Sequence, residues 1–157
     1  MSATLPPLTT ALRAALGARL DAALQASTLG ALAGCAVQSE GLRFTRPTGR
    51  PWIRGTLRVG GTVPDTIGPH ARLTTVGLWL VDVFTPANTG TADSDTLADA
   101  VVLAFPPGLD LALPNAQAAD GVLRLTGASR GGAIPDAAGW LMAPCTVSWR
   151  THTTNSI

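Results

Sequence analysis

Lysine and tyrosine are absent from this chain, glutamate occurs once, at Glu40, and histidine only at His70 and His152. Each scarcity removes a chemistry. Without lysine, Gly60-Gly61 and Gly131-Gly132 are not phosphate-cradling loops of the kind completed by a following lysine. With a single glutamate, paired-carboxylate catalysis would fall to aspartates. A Ser/His/Asp hydrolase needs a histidine held against a hydroxyl, yet His70 falls in a loop, His152 in the tail, and no Gly-x-Ser-x-Gly follows a strand. Cys35 and Cys145 stand far apart with no CxxC spacing and no histidine nearby. This argues against a zinc site and for two thiols packed as small apolar groups. Charged residues make up only 13% of the chain, and all 11 basic ones are arginine, a bias expected of a GC-rich genome. The formal net charge of +1 supplies no global attraction to nucleic acid. No apolar run approaches the roughly 18 residues of a membrane span. Met1-Ser2-Ala3-Thr4 has no basic region ahead of an apolar stretch, so neither a membrane partner nor a signal peptide is expected, and synthesis in the cytoplasm is.

What is present is a hydrophobic content of 46% spread over 157 residues, enough for one domain spanning 1–157, with its core at about 9–150. The strongest local signal is Gly77 to Phe105. Gly77-Leu78-Trp79-Leu80-Val81-Asp82-Val83-Phe84 reads as a central strand, and Thr85-Pro86-Ala87-Asn88-Thr89-Gly90 as the turn that stops it. From Asp93 the period changes, with Leu97, Ala100, Val101, Ala104 and Phe105 on one helical face, until Pro106-Pro107-Gly108 ends the helix. Upstream, Leu8, Leu12, Leu16, Leu20 and Leu24 recur every four residues. They predict an amphipathic helix to about Ala26, capped by Thr9 or Thr10 after Pro6 and Pro7.

Between and beyond these lie shorter signals. Cys35 to Glu40 is a weak strand candidate, and 41–51 is too broken by Pro and Gly to be regular. Trp52 to Val59 alternates, with Ile53, Leu57 and Val59 on one side and Arg54, Thr56 and Arg58 on the other. The turn-rich connection 60–69 leads into the central strand. Gly121 to Gly127 predicts a strand, Ser129 to Asp136 a loop, and Trp140 to Arg150 a last strand in which Pro144 marks an edge or a bulge. The tail from Thr151 has little to bury. With hairpin-length connections, this order predicts an α+β domain: one mainly antiparallel sheet of about four to five strands with two packed helices.

Two clusters invite chemistry. Asp93, Asp95 and Asp99 could attract a divalent cation, but carboxylates at the start of a helix ordinarily cap free N–H groups, and no Gly-punctuated ligand loop surrounds them. Arg43, Arg46, Arg50, Arg54 and Arg58 are the one basic concentration. They are either a solvated face or a contact for phosphate or an acidic partner. No catalytic residue, metal ligand or cofactor site emerges.

Taken in order, the leucine helix, Phe44-Thr45-Arg46-Pro47-Thr48-Gly49-Arg50-Pro51-Trp52, Val83-Phe84-Thr85-Pro86-Ala87-Asn88-Thr89-Gly90, the Asp/Ala helix, Ala104-Phe105-Pro106-Pro107-Gly108, Ala128-Ser129 and Gly139-Trp140 before Val147-Ser148-Trp149-Arg150 form a pattern. It resembles the tail-terminator proteins of long-tailed bacteriophages and related tail-like particles, from about Thr9 to Arg150. The resemblance implies a non-enzymatic virion protein without cofactors. Such a protein closes into a homohexameric ring on the tail tube, stops tube growth and meets the head-completion or connector protein, while DNA passes through its lumen without sequence-specific binding. A closing ring needs two different contact edges. The segments 44–52, 60–70, 85–92 and 129–138 are the candidates, with Phe44, Trp52, Phe84, Pro86, Asn88, Gly90 and Arg130 at the interface and Arg54 and Arg58 facing the lumen. The 108–121 segment has no place in the family pattern. Two other readings stand beside it: a different head–tail connector or minor tail component, and a small enzyme or ligand-binding α+β domain using His70 or the aspartate cluster of Asp93, Asp95 and Asp99.

Overall fold

The computed structural model describes residues 7–113 and 118–154, with the backbone alone at 27 and 118–120. The readings made for Met1 to Thr4, for Pro6, for Pro114 to Gln117 and for the last three residues lie outside it.

Helix α1 spans Leu8–Leu24 and buries Leu12, Leu16, Leu20 and Leu24 along the predicted stripe. Its start differs from expectation. Pro7 is the N-cap, its carbonyl accepting from Ala11 N–H, and neither Thr9 nor Thr10 caps. Proline fits that position because its fixed φ is already compatible with helix entry. A 3-10 turn, Ser27–Leu32, follows, and Gly34 N–H closes it onto the Leu24 carbonyl at 2.7 Å.

The strands are β1 (Ala36–Gln38), β2 (Trp52–Pro64), β3 (Arg72–Pro86), β4 (Asp110–Ala112), β5 (Ala118–Arg130), β6 (Ile134–Asp136) and β7 (Trp140–Thr154), with α2 (Ala92–Ala104) between β3 and β4. They form one seven-stranded sheet in the order β1-β2-β3-β7-β5-β4, with β6 beside the start of β7. The class is α+β as expected, but the sheet is larger than four to five strands and mixed, because β1 pairs parallel to β2. The irregular segment 39–51 provides the long return that parallel pairing requires. The segment expected as loop around Ile134 contains β6, and β7 runs past Arg150 to Thr154, burying Thr151 and Thr153. Pro144 is at neither an edge nor a bulge, since it pairs with Asp82 inside the β3–β7 ladder. It falls in the gap between β5, which ends opposite Cys145, and β6, which begins opposite Met142.

Both helices pack on the same side of the sheet, α2 over β7, β3 and β5, and α1 beside α2 and β2. Alternation sends Ile53, Leu57, Trp79, Val81, Val83, Leu125, Cys145, Val147 and Trp149 into the core beneath them. Cys145 is buried and Cys35 half-buried; burial raises each thiol to about 11, so both are inert packing groups at neutral pH. Among the described residues, no helix is long and apolar enough to cross a membrane.

Candidate functional site

Among the described residues, no helix covers the other face of the sheet. Side chains opposite one another in register share a face, so Arg54, Thr56 and Arg58 of β2 stand with Asp82, Leu80, Leu78 and Val76 of β3 and with Pro144, Thr146, Ser148 and Arg150 of β7. Val76 and Leu78 remain 48% and 39% exposed in the middle of it. The shared face read for Arg54 and Arg58 is therefore real, but their situations differ. Arg54 donates from Nε and Nη2 to Asp82 Oδ2 at 3.2 and 2.8 Å, which offsets its charge, whereas Arg58 is exposed opposite Leu78.

Two further arginines on this face were not singled out from the sequence. Arg124 and Arg150 are cross-strand neighbours, and Arg124 grips Asp110 bidentately at 2.7 and 2.9 Å. That hydrogen bonding, with the charges of Arg124 and Arg150, holds the Asp110 carboxyl below its ordinary range. Alternation within each strand was legible; which strands lie side by side was not.

At one corner of the open face sits an aromatic stack. Trp52 and Phe84 lie parallel with ring centroids 3.9 Å apart, Phe44 packs on Trp52 at 5.2 Å, and Trp140 meets it edge-on at 6.1 Å. The Arg46 guanidinium covers the Trp52 ring at 5.2 Å and that of Arg54 the Phe84 ring at 5.1 Å. Trp52 and Phe84 are both 1% exposed, so their side chains hold the 42–51 segment on the sheet and leave the surface to Phe44, Arg43 and Arg50. Pro86 pairs with Trp140 at the end of β3, and the exposed turn follows. Asn88 and Gly90 have φ of 71° and 79°, conformations that these two residues adopt most readily.

Arg130 lies on the helical side instead. Its Nη2 donates to Asp95 Oδ1 at 2.9 Å and its Nε lies 3.2 Å from Asp99 Oδ1, joining the end of β5 to α2. Asp95 and Asp99 thus serve as partners of Arg130. The expected capping bond does not form, since Thr91 is the N-cap and makes no side-chain capping bond, but Asp93 and Asp95 do lie in the first turn, where the helix dipole favours them. Among the described residues, no three His, Cys, Asp or Glu side chains are grouped to hold a metal.

The 60–69 connection is not a loose loop. β2 and β3 stay paired to Pro64 and Leu73, making a long hairpin arm with one register shift between Val59 and Thr62. Asp65 ties its end together: Thr74 Oγ1 donates to it, Arg72 Nε lies 3.2 Å away and His152 Nδ1 3.4 Å, while Arg72 N–H donates to Thr66 Oγ1 at 2.8 Å. His152 thereby braces the arm's far end, where β7 still pairs with β3, and His70 is exposed near the tip. The hydrogen bond from Thr74, followed by the charges of Arg72 and His152, lowers the Asp65 carboxyl. A lowered carboxylate stabilises the folded form above its unfolded pKa, and that contribution disappears as pH falls through the folded value. Amide exchange at Arg72 and Asp65 should therefore quicken, relative to β7, once pH drops below about 4, and Asp65→Asn should abolish that step. An unchanged acid profile in the variant would refute this role.

The class defined so far is an α+β domain whose distinctive features are surfaces: an uncovered sheet face, an exposed turn and a long hairpin arm with an exposed tip. A family profile described as phage tail terminator protein matches residues 11–149, and the chain belongs to that family. It is accordingly a structural protein of a phage tail, with a place in the virion. Among solved structures, one titled only by a sequence identifier aligns with TM-score 0.68 and 21% identity over 91% of this chain and 94% of its own. A chain from the virion of a native gene transfer agent particle aligns with TM-score 0.58 and 23% identity, over 94% of this chain and 97% of its own. At these identities the two establish likeness of fold. No curated protein sequence matches significantly.

Proposed function

We propose that the protein closes with copies of itself into a six-fold ring on the last ring of the tail tube, ends tube growth there, and presents its other side to the head-completion or connector protein. The observation that carries this reading, beside the family, is the uncovered sheet face with Val76 and Leu78 exposed among arginines. A face left open by the fold and bearing arginines is suited to line a solvent-filled channel. The 44–52, 85–92 and 129–138 segments meet neighbours, the exposed turn at Asn88 and Gly90 first among them. Arg58, Arg150 and the partly neutralised Arg54 and Arg124 give the lumen a positive, sequence-indifferent lining for DNA.

Particles assembled without the protein are expected to carry tails of variable, excessive length, as seen by electron microscopy; tails of normal length would end the reading. Arg58→Glu should impair DNA packaging or ejection more than Arg54→Glu, whose native charge Asp82 already offsets. Particles that package and eject normally with both reversals would remove the lumen assignment alone.

A further inference from the structure

The hairpin arm ends in an apolar knob, and the same chain carries a groove that the knob cannot reach within its own copy. We propose that Ile67 of one copy seats in the groove between α1 and the β1–β2 edge of the next, making this the contact that closes the ring. The inference rests on the ring reading above.

Ile67 is fully exposed and Val63 half-exposed, and neither belongs to the hydrophobic core. The arm is nonetheless ordered by the bonds of Asp65 and Thr66 to Arg72 and Thr74, so the knob is held out before any partner arrives. Preorganisation of that kind lowers the entropy cost of association.

The groove has a volume of about 420 Å³, with Leu20, Val37 and Trp79 lining it. Gly17 opens its helical wall, because a Cβ there would meet no atom within 4 Å. The floor is closed by the Trp79 ring, which lies over Gly55 with Cζ2 only 2.5 Å from where a Cβ would stand.

Polar groups match as well, a carboxylate acceptor on the rim and an imidazole N–H donor beside the tip. Asp21 on the groove rim and His70 beside the tip are both exposed and have no ion-pair partner among the described residues. A tip seated at Gly17 brings the two unpaired groups to the same boundary. Gly55 and Pro64 are separated by roughly 30 Å of strand at about 3.3 Å per residue, so the tip projects away from its own groove. Knob and groove are different surfaces, and a contact between unlike surfaces propagates from copy to copy until the rotation closes.

Two substitutions leave the fold intact and test the contact from either side. Gly17→Leu plugs the groove at a helical position where a side chain is preferred to glycine, and Ile67→Ser removes the knob. Each is expected to keep the thermal midpoint of the free chain and to raise the concentration needed for tail-length control roughly ten- to a hundredfold, the loss of one buried aliphatic side chain. In particles containing both Ile67→Cys and Gly17→Cys copies, mild oxidation should give a disulfide-linked dimer that neither variant gives alone. If wild-type chain controls tail length and both plugged and knobless variants do so equally well, the inference falls while the ring reading stands. A cross-link from Ile67→Cys to Leu103→Cys, in the wider groove between the helices, in place of Gly17→Cys, also overturns it. If the wild-type chain does not limit tail length, the ring reading falls and this contact with it.

Discussion

Trp52→Ala is expected to lower the stability of the folded chain by about 3–5 kcal/mol, the range for truncating a buried tryptophan or phenylalanine. Trp52 is buried between Phe84 on one side and Phe44 with Arg46 on the other, and its edge meets Trp140. Alanine there leaves a cavity that β2 and β3, locked in register by Trp52↔Phe84 and Ile53↔Val83, cannot close. The loss should also free the 42–51 segment, which has few other anchors. Denaturant unfolding measures the first effect and limited proteolysis between Arg43 and Arg50 the second. Phe44→Ala, at a half-buried ring, should free the segment while costing far less stability. Equal losses in the two variants would mean that the stack is not the anchor.

Gly77→Ala is the second large effect, although it adds a single methyl. The added Cβ would lie 2.3 Å from Trp149 Cζ2 and 2.4 Å from the Arg58 carbonyl oxygen. The ring is fully buried and the carbonyl belongs to the neighbouring strand, so neither retreats cheaply. A loss of about 3 kcal/mol or more is expected, which for a chain of this size lowers the thermal midpoint by roughly 6–12 °C. Gly61→Ala is the matched control, since its Cβ would meet nothing within 4 Å. Similar midpoints for the two variants would show that the β3 backbone yields and that Gly77 is not required by close packing.

These predictions separate two kinds of information. The leucine stripe of α1, the unbroken apolar strand at β3, the face of α2 and the alternation of β7 were legible because each is a repeat of one residue type at the period of its own backbone. The parallel pairing of β1 and the existence of β4 and β6 were not. Each of these strands has three residues, too few to display a period, and each exists only because a longer strand offers it an edge. The aspartates near α2 looked like caps from their position alone; Arg130, 35 residues from Asp95, claims them. Likewise, sequence alternation put Arg54 and Arg58 on one face, but only register placed Asp82 against Arg54 and left Arg58 exposed.

By itself, the order of short turn motifs carried the resemblance to tail-terminator proteins, and the absence of lysine with the isolated histidines offered no familiar catalytic pattern to read. Those features are local, and composition and spacing carry them entirely. Tertiary structure decided which face is left uncovered, that the 60–69 connection is a stiff arm ending in Ile67, and that Gly17 opens a groove beside Trp79. Such features come from strand order and helix placement, which depend on contacts between residues far apart in the chain, and no local pattern encodes those.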